Sequence, residues 1–60
     1  MNGRLLCIDD DQQSLGVRKM LLENYGFQVL TATSGREAVQ ALRRVGVVDV
    51  VVVFQHGPFS

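Results

Sequence analysis

Three apolar runs of strand length alternate along the chain with two stretches in which apolar residues return at helical spacing. The first run, Arg4 to Ile8, is apolar without alternation, as in a strand buried on both faces, and it ends at Asp9-Asp10-Asp11. From Gln12 to Tyr25 the period lengthens, with Leu15, Met20, Leu21, Leu22 and Tyr25 as the apolar positions of a helix. Asp11 is placed to cap its start, and Gly26 can take the left-handed conformation that closes its end. Gly16 inside this helix costs about 1 kcal/mol relative to alanine.

Phe27 to Ala32 then alternates, with Phe27, Val29 and Thr31 on one face and Gln28 and Leu30 on the other, which predicts a second strand. Ser34 followed by Glu37 has the spacing of a capping box, in which each side chain meets the other's backbone N–H. A second helix follows, with Ala38, Ala41, Leu42 and Val45 as its apolar stripe and Arg36, Gln40, Arg43 and Arg44 toward water. Gly46 breaks it. Val47 to Phe54 is nearly unbroken valine, a β-branched run that favours a strand, and His56-Gly57-Pro58 ends it. The predicted strands are about 4–9, 27–32 and 48–54, and the helices 11–25 and 35–45, in one domain over 1–60. Strands and helices in this alternating order predict an α/β fold with a parallel sheet joined by right-handed crossovers.

Length changes the picture. Sixty residues bury only about 60% of the surface that the unfolded chain exposes, and small domains of this kind usually need a staple. One cysteine, Cys7, allows no intrachain disulfide, and one histidine without a cysteine pair gives no structural zinc site. Association with another chain is the remaining route to stability. The net charge is zero with its cations dispersed, which points away from nucleic acid and anionic membrane and toward self-association. No apolar run approaches the roughly eighteen residues of a membrane span, and the amino-terminal residues do not form a secretory signal, so a reducing cytoplasm is expected.

Four segments together resemble the first half of a response-regulator receiver domain, the flavodoxin-like phosphoacceptor module of two-component signalling. They are Ile8-Asp9-Asp10-Asp11, Gly26-Phe27-Gln28-Val29, Ala32-Thr33-Ser34-Gly35-Arg36-Glu37-Ala38 and Asp49-Val50-Val51-Val52-Val53. The resemblance implies a half flavodoxin-like βαβαβ unit with a sheet in order 2-1-3. It also implies that Asp9 and Asp10 match the family's Mg²⁺-binding acidic pair. The family's phosphoacceptor aspartate falls on Phe54, in a register supported by Pro58. A phenyl ring neither attacks phosphorus nor ligates a hard cation, so phosphotransfer at this position is excluded and no enzymatic activity is expected.

The remaining readings follow from that substitution. Asp11 goes to helix capping, while Asp9 and Asp10 are left as a weak, vestigial, solvated metal pair, so no cofactor is expected and Mg²⁺ is the one alternative. Cys7 reads as a buried, inert thiol and His56 as a loop residue. The run Val50, Val51, Val52, Val53 and Phe54 becomes an apolar edge strand, which is a template for pairing with a second chain. The first helix is expected to leave apolar surface open near Leu15 and Leu22.

The sequence therefore predicts a sheet completed by homodimerisation, through edge pairing or exchange of an element. The expected function is a non-catalytic, receiver-derived half domain acting through self-association or docking, with a histidine kinase or another receiver as the partner. Two alternatives stand beside it. One is a truncated phosphoacceptor receiver binding Mg²⁺ at Asp9 and Asp10, and the other is a relic or reconstructed fragment without a cellular role.

Overall fold

The computed structural model describes residues 3–54. It contains β1 (Arg4–Ile8), α1 (Gln12–Asn24), β2 (Gln28–Ala32), α2 (Gly35–Val45) and β3 (Val50–Val53). The three strands form one parallel sheet in order β2-β1-β3, the half flavodoxin-like arrangement that the sequence predicts. Arg4 lies opposite Gln28 and Ile8 opposite Ala32 on one side of β1, while Leu5 lies opposite Val50 and Ile8 opposite Val53 on the other. The residues His56, Gly57 and Pro58, on which the end of the third strand and the family register draw, lie outside the described residues.

Alternation along β1 divides the core into two layers. Leu6, fully buried, joins Ala32 of β2 and Ala38 and Ala41 of α2, with Ile8, Leu30, Leu42 and Val48 packed around them. The two alanines put α2 close against the sheet. On the opposite face Cys7 joins Val29 and Leu15 of α1, with Leu22, Phe27, Val52 and Phe54 at the margin. The helices thus flank the sheet from both sides, and each packs over β1 and β2. No Cα of either helix comes within 8 Å of a β3 Cα. Val50, Val51 and Val53 are exposed in consequence.

α2 spans the predicted residues, and the other elements differ from the sequence prediction by one or two residues at one or both ends. Phe27 does not belong to β2 because its N–H bonds to Leu22 O at 3.3 Å, closing α1 beside Gly26, whose φ is 94°. Asp11 and Tyr25 are the caps of α1 rather than members of it. β3 begins at Val50 instead of residue 48. Asp49 before it is occupied by Arg4, accepting the Arg4 backbone N–H on Oδ2 at 2.7 Å and donating its own N–H to Arg4 O at 2.8 Å.

The capping box at α2 is only half formed. Ser34 Oγ accepts from Glu37 N at 3.2 Å, but Glu37 Oε1 accepts from Thr33 N and Thr33 Oγ at 2.8 and 2.7 Å, one residue earlier than the pattern predicts. The apolar face of α1 also departs from prediction. Leu15 is buried and Leu22 half-buried, whereas Met20, Leu21 and Tyr25 are exposed. The open apolar surface of α1 lies at Val17, Met20 and Leu21, away from Leu15 and Leu22. No helix among the described residues is long and apolar enough to cross a membrane.

Candidate functional site

Ligands of parallel α/β sheets sit beyond the carboxyl ends of the strands. Here that end gathers Asp9 after β1 and Phe54 after β3, with Arg18 reaching over both from α1. Asp9 is held on the β2 side by its N–H to Ala32 O at 3.0 Å, and Phe54 is aligned on the β3 side by its N–H to Ile8 O at 2.9 Å. These two ladder bonds place the acid and the ring at neighbouring strand ends.

Asp9 is only 1% exposed, which corrects the solvated role expected of it. Its Oδ1 accepts the Asp11 N–H at 2.9 Å, and its Oδ2 forms an ion pair with Arg18 Nε at 3.5 Å. The Arg18 side chain retains 35% of its exposure and lays its Cζ 3.7 Å from the centroid of the Phe54 ring. A guanidinium at that distance gains from the quadrupole of the ring while its stem covers apolar surface. Phe54 is half-buried against the Cys7, Leu15 and Val29 cluster, so its ring meets the core of its own chain on one side and a cation on the other.

The other acids part company with Asp9. Asp10 is exposed. Asp11 caps α1, accepting from Gln13 N and Ser14 Oγ, each at 3.0 Å. Asp11, Gln13, Ser14, Val17, Arg18 and Leu21 line an open groove of about 350 Å³ on the outer flank of α1. Beneath the site, burial pushes the Cys7 thiol above its ordinary pKa and the positive charge of Arg18 draws it back in part, so the group is a neutral thiol at physiological pH.

The Mg²⁺ that the acidic pair implies does not fit this donor set. A hard divalent cation needs several oxygen ligands in close to octahedral array. Of the three positions that the resemblance assigns, one carries an aromatic ring, one carboxylate is turned to Arg18 and the Asp11 N–H, and one lies on the surface. Among the described residues no group of three or more His, Cys, Asp or Glu side chains converges on a point where a metal could sit. The site holds a carboxylate paired with a guanidinium and a ring, and the ring has no lone pair with which to attack phosphorus.

Sequence reasoning placed Asp9 and Phe54 at this end of the sheet but missed Arg18. A signal for it was present: Leu15, Arg18 and Leu22 follow one another by three and four residues, so a charged group lies in the stripe that faces the sheet. A cation in such a stripe calls for a buried anion. At the opposite end of the sheet Arg4 was also missed. Its Nη1 donates to Val45 O and Val47 O at 3.3 and 3.2 Å, and its Nε donates to Gln28 Oε1 at 3.2 Å.

Scans of family models, of characterised proteins and of solved structures return no match to this chain.

Proposed function

We propose that this chain is a non-catalytic, cytoplasmic, receiver-derived βαβαβ unit that acts by associating with a second copy of itself. The observation that carries the reading is β3, an all-valine edge strand on which Val50, Val51 and Val53 are exposed and only Val52 packs against the α1 side of the core. Because Phe54 N–H bonds to Ile8 O, the alternation of a parallel ladder turns the N–H and C=O groups of Val51 and Val53 away from β1. An apolar edge with free backbone groups is a template for another strand, and antiparallel pairing of two β3 strands about a two-fold axis gives one continuous six-stranded sheet. Val50, Val51, Val52 and Val53 form that interface, and Phe54 closes its end from within.

Phe54 supports the absence of aspartyl phosphorylation, since it puts a ring and a guanidinium where the receiver resemblance calls for an acceptor carboxylate. Docking onto a histidine kinase or a true receiver through the same edge is the related binding role. Sedimentation of the 60-residue chain from micromolar to millimolar concentration tests the reading, with a dimer expected at the upper end. A compact folded monomer throughout would refute self-association. Incubation with a small phosphodonor followed by intact-mass measurement should show no added phosphoryl group.

A further inference from the structure

We infer that Arg18 is a built-in counter-ion that takes the place of a divalent cation at the acidic end of the sheet, so that the chain does not bind Mg²⁺ there. Three observations lead to it. Asp9 is a carboxylate removed from water, and a buried anion requires a cation or a dense set of hydrogen bonds. Arg18 supplies the charge, 3.5 Å from Asp9 Oδ2. Phe54 then fixes the guanidinium by lying beneath its Cζ at 3.7 Å, in the space that an acceptor carboxylate of a metal site would need.

The parts are mutually dependent. A metal ion at Asp9 would sit within a few ångströms of a like charge in a partly dry pocket, where repulsion is weakly screened. Arg18 in turn would lack a platform if position 54 were aspartate, because an anion would draw the planar guanidinium into a second ion pair instead of a stack. The substitution at 54 and the cation at 18 therefore read as one exchange, in which a tethered monovalent charge replaces a diffusible divalent one. The site consequently carries no dependence on metal or on phosphoryl donors. The inference deepens the receiver reading and uses it for the expectation of a cation at this place, but it does not depend on the dimer.

The test is a Mn²⁺ titration followed by water-proton relaxation, with Mg²⁺ competition, on the unmodified chain, Phe54→Asp, and Phe54→Asp combined with Arg18→Gln. The unmodified chain should show no saturable binding below about 1 mM, the weak end of protein sites for hard cations. Removing the guanidinium from the Phe54→Asp background should tighten Mn²⁺ binding at least about tenfold, the scale on which neighbouring groups tune metal sites. Saturable binding by the unmodified chain below that concentration, or a smaller gain in the double variant, overturns the inference.

A readout that needs no folded variant is the Arg18 Nε–H resonance of the unmodified chain. It should not move when MgCl₂ replaces NaCl at equal ionic strength, and a saturable shift would mean that Mg²⁺ displaces the guanidinium. A monomer in sedimentation would refute self-association and leave these metal results untouched, so the two failures are distinguishable.

Discussion

Val51→Lys is the substitution that most directly probes the exposed edge. Val50, Val51 and Val53 are 48, 48 and 57% exposed, so pairing two β3 strands would cover roughly half a side chain at each of these positions in both copies. At about 1.5 kcal/mol for burying a whole valine, this amounts to about 0.7 kcal/mol each and about 4 kcal/mol for the interface. The outward N–H and C=O groups of Val51 and Val53 add ladder bonds worth about 1 kcal/mol apiece. Against this stands an association cost of at least about 4 kcal/mol, which leaves about 4 kcal/mol at most and a dissociation constant of about a millimolar or weaker.

Replacing Val51 in both copies removes about 1.5 kcal/mol of burial and brings two ammonium groups to facing edges, for a further loss of up to about 1 kcal/mol. Dimerisation should weaken by about 50-fold, at 1.4 kcal/mol per factor of ten. Sedimentation velocity over a wide concentration series measures it, with circular dichroism confirming that each protein is folded. Val51→Glu should weaken self-association to a similar degree, and an equimolar mixture of the two variants should recover it. The reasoning is refuted if Val51→Lys dimerises as tightly as the unmodified chain, or if the mixture behaves as the sum of its parts.

Two further predictions concern stability. Gly16 lies inside α1, and a Cβ added there meets nothing within 4 Å. Gly16→Ala should therefore stabilise the fold by about 1 kcal/mol, raising Tm by about 4–8 °C in a domain of this size, as read by thermal denaturation. Glu37 has its pKa lowered by the Thr33 backbone N–H, by the Thr33 hydroxyl next, and is opposed only by slight desolvation. A depressed carboxylate contributes stability above its unfolded pKa and loses it as pH falls through the folded value. Glu37→Gln should thus lower the urea midpoint at neutral pH and match the unmodified chain near pH 2, and a difference that persists in acid would rule out a charge-based cap.

The fold was legible because its elements carry local signals of different kinds. Arg4 to Ile8 reads as a strand from an unbroken apolar run, and α2 reads as a helix from Ser34, Glu37 and a stripe of small apolar residues. The face of α1 was not legible, because Leu15, Val17, Met20, Leu21 and Leu22 together cover most of the helix circumference and periodicity alone does not say which of them packs. The sheet decides, taking Leu15 and Leu22. Similarly, Asp9 and Phe54 could be placed by counting along strands, whereas the Arg18 contact joins residues far apart in sequence. Local pattern could at most mark Arg18 as a charge out of place, and the anion that explains it comes from another element.

The bonds at the two ends of β3 have a consequence for how the strand finds its place. Val50, Val51, Val52 and Val53 are four identical side chains, so sliding the strand by one residue puts a valine back at three of the four positions. Strand alignment normally depends on such a slip exchanging buried and exposed side chains, and here that penalty vanishes within the strand. The information must come from its flanks. Asp49 is held by both backbone groups of Arg4, and Phe54 is held by Ile8 O and beneath Arg18. A slip in either direction would detach the carboxylate at one end and unstack the ring at the other. Asp49 and Phe54 thus act as the two index marks of an otherwise featureless ruler, and substitutions there should produce misaligned sheets where valine replacements produce merely weaker ones.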